Sequence, residues 1–299
     1  MSQHPDFEEL HVLPPPPGVH IPTREELTCL CTEDVMGFSK HVAYPPHAPQ
    51  LWIKYGCSVV QNEVPAQMMA YYGLQQLQSY VRIPKVYYTC RYMNVSYIVI
   101  EYIPGKTMGQ LLKERPTQKQ DICNLVAFGL QELLRIPVPP AARPAAINGG
   151  RIWHCLFDDH QAPMEYRNVS ELETHLNEWI RITKQPTPAK NLASEPMVFC
   201  YGDVWPENFI LDLDQRLVTI IDFAVSSILP SSFAKYALRS GGNKIDVRLD
   251  ELVKVPTTDG VDNFDALCSA AACMVQGPSS FAICGRRILG RPTVRSLAQ

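Results

Sequence analysis

Long apolar runs are missing from this chain. None approaches the roughly 20 residues that span a bilayer, and the longest, Tyr97–Ile103 and Ala266–Val275, have the lengths of a core strand and a core helix. The opening residues, Met1–Leu10, are polar and acidic, so no secretory leader and no membrane partner are expected. A surplus of positive charge is also absent: 27 Lys and Arg face 30 Asp and Glu, for a formal net charge of -3. Without a basic stripe or a long Lys/Arg run, a nucleic-acid partner is not expected. Cysteine is plentiful, at ten residues, but metal-ligand spacing is lacking. Cys57, Cys90, Cys123, Cys155 and Cys200 stand singly in apolar segments, Cys29 and Cys31 form C-x-C, and Cys268 and Cys273 have no neighbouring His. The eight His show no ligand spacing either. Free thiols in a reducing cytoplasm are the expectation.

What is present suits a globular protein. The 299 residues suffice for one large domain or two lobes, and 46% hydrophobic with 19% charged residues is ordinary. Pro14–Pro17 reads as a stiff arm. Leu51–Lys54 reads as a strand, with Asn62 as N-cap of a helix running to about Gln78 and Pro65 tolerated in its first turn. Val86–Cys90 and Ser96–Ile103 read as further strands, the second broken by Pro104-Gly105. Thr117 with Gln120 suggests a capping box for a helix through Ile122, Val126, Leu130 and Leu133, and Ser170 with Glu173 suggests another through Leu176, Trp179 and Ile180. Met68, Met69, Trp153 and Trp179 read as core. His154 and His160, flanking Asp158 and Asp159, read as an exposed polar loop. Met197–Tyr201, Phe209–Leu213 and Leu217–Asp222 read as short strands, followed by a helical tail. A strand-rich first part, a hinge at 101–105 and a helix-rich second part predict a two-lobed α+β design.

The strongest chemical signal is Tyr201-Gly202-Asp203-Val204-Trp205-Pro206-Glu207-Asn208, with Ile221-Asp222-Phe223 following 19 residues after Asp203. Phosphoryl transfer needs such groups: one carboxylate to orient an attacking hydroxyl and take its proton, and an amide oxygen with a second carboxylate to hold Mg²⁺. The other reading makes these residues turn formers. The second signal is Trp52-Ile53-Lys54-Tyr55-Gly56 with Glu63 nine residues after Lys54, where a strand lysine steadied by a helix glutamate reaches nucleotide phosphates.

These segments resemble the aminoglycoside phosphotransferases, choline kinases and their fungal relatives. The loop is similar to their H-G-D-x-x-x-x-N, the I-D-F to their metal-binding strand, and Leu229–Leu238 to a segment of the fungal members. Tyr97-Ile98-Val99-Ile100-Glu101-Tyr102-Ile103-Pro104-Gly105 resembles their Y-I-V-M-E-Y-I-P-G hinge. The resemblance covers residues 50–240 and implies a two-lobed protein-kinase-like fold, with a strand-rich N-lobe (residues 1–103) and a mainly helical C-lobe (104–299). It implies an ATP- and Mg²⁺-dependent transferase acting on a hydroxyl of a small molecule, in the cytoplasm. Asp203 would be the catalytic base, Asn208 and Asp222 the Mg²⁺ ligands, and Lys54 the phosphate lysine steadied by Glu63. Backbone groups near Glu101 and Ile103 would pair with the adenine edge.

The chain departs from the pattern in places. Tyr201 stands where His is usual, Ala224 stands where protein kinases have Gly, and the phosphate loop lacks a glycine-rich signature, a hairpin around Gly37 (Val35 to Val42) being the candidate. A catalytically inactive nucleotide-binding scaffold is therefore the second expectation. A protein kinase is disfavoured by Y-G-D in place of H-R-D and by the lack of an A-P-E segment after Asp222. A polycationic acceptor would need an acidic cleft. Asp246, Asp250, Glu251, Asp259, Asp262 and Asp265 lie where they could line one, although such a run is commonly a solvated face.

Overall fold

Alternation decides the first sheet. The computed structural model describes residues 9–31, 39–57 and 61–276. Strands β1 (Leu10–His11), β2 (Lys40–Tyr44), β3 (Leu51–Gly56), β4 (Val86–Tyr92) and β5 (Val95–Glu101) pair antiparallel in the order β1-β4-β5-β3-β2. In β3, Leu51, Ile53 and Tyr55 enter one face with Tyr88, Tyr97 and Val99, and helix α1 (Arg24–Leu30) covers that face with Leu27. The period of two sends Trp52 and Lys54 to the opposite face, toward helix α2 (Glu63–Gln76). A capping box of Thr23 and Glu26 starts α1.

The chain then leaves the sheet through Pro104-Gly105. It forms β6 (Lys106–Thr107), α3 (Met108–Glu114), α4 (Lys119–Leu134), β7 (Ala145–Ala146), α5 (Val169–Ile182), β8 (Met197–Tyr201), β9 (Phe209–Asp212), β10 (Leu217–Ile220), β11 (Ser226–Pro230), α6 (Ser231–Asn243), α7 (Leu249–Leu252) and α8 (Phe264–Gln276). Two small antiparallel sheets, β10-β9-β6 and β7-β11-β8, lie among these helices. Their shared core takes Ile122, Val126, Leu130 and Leu133 from α4, Leu172, Leu176 and Trp179 from α5, and Phe233 and Leu238 from α6. Ala66, Ala70 and Leu74 of α2 join this core, so α2 links the two parts of an α+β, two-lobed molecule. No helix among the described residues is long and apolar enough to cross a membrane.

Several local expectations gave way to tertiary partners. Thr117 and Gln120 form no capping box. Pro116–Gln118 is a 3₁₀ turn, and Gln118 precedes α4 with ψ 12°, outside the extended geometry a capping side chain needs. Asn168, extended at φ -159°, takes the cap of α5 by accepting from Glu171 N, so Ser170 lies inside the helix. Asn62 precedes α2 but is itself helical, at φ -73° and ψ -21°, and its side chain caps nothing. His154 is fully buried rather than part of an exposed loop; its Nε2–H donates to Phe233 O at 3.1 Å and its Nδ1 accepts from Leu156 N at 3.1 Å. Of the hairpin expected around Gly37, residues 35–38 lie outside the described residues and residues 40–42 belong to β2.

Candidate active site

Strand β3 carries Lys54 toward the start of α2, and there it meets Glu63. Lys54 Nζ lies 2.9 Å from Glu63 Oε1 and 2.8 Å from Oε2. It also donates to Asp222 Oδ1 at 3.2 Å, 168 residues along the chain. Burial disfavours the Lys54 charge, but the attraction of Glu63 and Asp222 outweighs it and holds the ammonium above its ordinary pKa. Burial pushes Glu63 up from the carboxylate range against the pull of Lys54, and the nearby Asp222 adds to the rise. Two carboxylates thus share one ammonium.

Asp203 and Asn208 form the other half of the site. The turn between β8 and β9 folds back so that Asn208 Nδ2 donates to Asp203 Oδ2 at 3.0 Å and to Asp203 O at 3.1 Å. Both partners are acceptors, which sets the amide orientation and leaves Asn208 Oδ1 on the other side. Glu207, in the same turn, faces away and bonds Thr107 Oγ1 at the start of α3. Beneath the loop, Tyr201 packs edge-on against Phe209 and Phe223 at centroid distances of 6.2 and 5.3 Å. Gly202 is required by close approach. A Cβ there would stand 2.9 Å from Val225 O, to which Gly202 N already donates at 2.7 Å, and 3.3 Å from His154 Cα.

Ile221 joins the two halves. Its N–H donates to Asn208 O at 3.0 Å, and its carbonyl accepts from the Tyr201 hydroxyl at 2.7 Å. Held at both ends, it delivers Asp222 in a left-handed conformation, φ 59°, which an L-residue adopts at a cost of about 1–2 kcal/mol. Asn62 secures the segment that follows: its Nδ2 donates to Ala224 O at 3.1 Å and to Ser226 O at 2.7 Å, and its Oδ1 accepts from Asn148 N at 3.3 Å. Reading Asn62 as a helix cap missed this clamp, since its partners are over 80 residues away.

The structure therefore brings Lys54, Glu63 and Asp222 into direct contact, pairs Asp203 with Asn208, and couples the two sets through Ile221. Glu101 lies three residue pairs along β5 from the partner of Lys54, its carboxylate bonded to Arg82 Nη2 at 2.5 Å and to Lys85 N at 3.2 Å. Its side chain is committed, and its backbone N–H donates to Lys85 O at 2.8 Å. Ile103 lines a cavity of about 430 Å³ with Arg82, Pro104, Gly105, Ile210 and Thr219.

A hard divalent cation fits the donor set. Asp222 and the Asn208 Oδ1 offer oxygen ligands. No group of three or more His, Cys, Asp or Glu residues that could hold a metal ion occurs among the described residues, and Mg²⁺, which keeps several waters, does not need one. Cys29, Cys31, Cys57, Cys90, Cys123, Cys155, Cys200 and Cys268 are free thiols.

The family described as "Phosphotransferase enzyme family" matches residues 59–230, a span that holds Glu63, Asp203, Asn208 and Asp222. The aminoglycoside 3'-phosphotransferase of Escherichia coli is 26% identical over 178 residues, which is 59% of this chain and 63% of that protein; the chain thus spans less than two thirds of this relative. Among solved structures, the ethanolamine kinase of Plasmodium vivax is similar at 12% identity and a TM-score of 0.38, over 78% of this chain and 67% of the other. The aminoglycoside phosphotransferase APH(3'')-Id of Streptomyces rimosus is similar at 12% identity and a TM-score of 0.40, over 78% of this chain and 92% of the other.

Proposed function

The chain belongs to the phosphotransferase enzyme family, and on that premise we propose that it transfers the γ-phosphoryl group of ATP to a hydroxyl of a small molecule. The observation that supports this most is the coupling of Lys54, Glu63 and Asp222 to Asp203 and Asn208 through the doubly held Ile221. In this reading Lys54, kept charged and aimed by Glu63, binds the nucleotide phosphates. Backbone groups of Glu101 and Ile103, at the turn between the strand-rich and helical parts, bind adenine. Asn208 and Asp222 hold Mg²⁺, which when bound neutralises charge on the phosphates.

Asp203 orients the acceptor hydroxyl and takes its proton as the oxygen attacks. Asn208 Nδ2 donates to one carboxylate oxygen of Asp203, at 3.0 Å, and so leaves the other to meet the hydroxyl. Tyr201 offers a hydroxyl donor to Ile221, so the departure at that position does not remove support from Asp222.

Asp203→Asn tests the reading. It preserves the hydrogen bond from Asn208, so melting temperature and ATP binding should hold, while turnover in an ATP-consumption screen against hydroxylated metabolites should fall about 10²–10⁴-fold. Wild-type turnover in that variant would refute the role of Asp203. Nucleotide binding with no turnover on any acceptor would favour the scaffold reading.

A further inference from the structure

We propose that the acceptor carries an anionic group, a carboxylate or a phosphate, that is held by Lys244, and that it is not a polycation. This rests on the reading of Asp203 as the base that meets the acceptor hydroxyl.

Lys244 reaches Asp203 because α6 packs on the loop without a side chain between them. A Cβ at Gly241 would stand 2.5 Å from Val204 O, so only glycine lets the helix end against the residue between Asp203 and Trp205. The chain then turns tightly, with Ile245 N and Val247 N both donating to Gly242 O, and Lys244 projects back over the loop. Its Nζ sits 4.3 Å from the centroid of the Trp205 ring and 4.0 Å from Asp203 Oδ1. The second distance exceeds a hydrogen bond, so Asp203 does not saturate the ammonium. The Lys244 side chain is 36% exposed and Trp205 44% exposed, so a cation and an aromatic face border the base on its open side. A second ammonium braces the same turn, with Lys119 Nζ donating to Asp246 O at 3.2 Å.

Three of the six acids that could line an acidic cleft, and Glu207 of the loop itself, are occupied elsewhere. Asp250, 3% exposed, is bound by Arg239 through two bonds of 2.9 and 2.7 Å and by Arg248 at 3.2 Å. Glu251 pairs with Arg248 at 2.7 Å and Asp262 with Lys235 at 2.6 Å. Glu207 is turned onto Thr107. A hydroxyl that reaches Asp203 therefore brings its molecule beside Lys244, where a carboxylate or phosphate gains a charge-assisted bond and an ammonium meets repulsion.

The test titrates the ADP- and Mg²⁺-loaded protein with gluconate, glucose 6-phosphate, glucose and kanamycin, and follows ATP consumption with the same four. Gluconate or glucose 6-phosphate should bind about 10- to 100-fold more tightly than glucose; which of them does so separates carboxylate from phosphate. Lys244→Gln should bring that compound to the level of glucose while leaving the melting temperature and the ATP-induced thermal shift unchanged. The proposal is overturned if kanamycin binds more tightly than glucose, if neither anion exceeds glucose, or if Lys244→Gln leaves the preference intact. A variant that slows kcat on every acceptor with KM unchanged would assign Lys244 to the phosphoryl group and also overturn it. Absence of an ATP-induced shift in the wild type would instead refute the kinase reading, and the same titration of the nucleotide-free protein then reads anion binding at Lys244 on its own.

Discussion

Tyr201→Phe removes a single oxygen atom, which makes its consequences calculable. The ring contacts with Phe209 and Phe223 persist, while the 2.7 Å bond to Ile221 O is lost together with the hydroxyl's interaction with the Asn208 amide. A neutral hydrogen bond contributes about 0.5–1.5 kcal/mol net, and a buried acceptor left without a donor costs about 1–3 kcal/mol. This bond is partly buried, so a loss of about 1–2 kcal/mol is expected. The local effect is larger than the global one. With its carbonyl released, Ile221 is held to the loop only through Asn208 O, and Asp222 loses support for its left-handed backbone. Urea unfolding of the ligand-free protein should show the 1–2 kcal/mol loss, and a thermal-shift titration should show Mg²⁺-dependent ATP binding weakened about fivefold or more. Unchanged unfolding together with unchanged nucleotide binding would refute the argument that Tyr201 positions Asp222.

Other perturbations address separate parts of the molecule. His154 is buried with Nδ1 accepting from Leu156 N, and burial drives its pKa down from 6.5 to about 3. Below pH 6.5 the unfolded chain gains a proton that the folded chain refuses. Stability is therefore complete above that pH and falls by about 1.4 kcal/mol per unit toward pH 3; urea unfolding of His154→Gln should show a shallower acid limb, and an identical limb would contradict this. Gly202→Ala forces a Cβ against Val225 O, and thermal unfolding should report a loss of about 1–3 kcal/mol with reduced turnover. Glu63→Gln keeps an acceptor for Lys54 but removes the charge that attracts it, so weaker ATP binding is expected, with little loss of stability in urea because burial already disfavours the Glu63 charge. Unchanged ATP binding would show that the pair is not needed to aim Lys54.

The sequence by itself determined the parts whose signals are local. Asp203, Asn208 and Asp222 sit within 20 residues, bracketed by apolar strands, and Lys54 ends a strand whose period of two chooses its face. Hence the α+β, two-lobed arrangement and the main groups of the candidate site were legible along the chain. Tertiary structure alone decided what depends on distant partners. It turned Asn62 from a helix cap into a clamp on Ala224 and Ser226, gave Tyr201 its bond to Ile221, and moved His154 from surface to core. It spent Asp250, Glu251 and Asp262 on arginine and lysine, and it set Lys244 beside Asp203 through Gly241. A side chain that can bond its own backbone takes a remote buried partner when packing supplies one, because an unmet polar group in the interior costs more than an unmade cap at the surface.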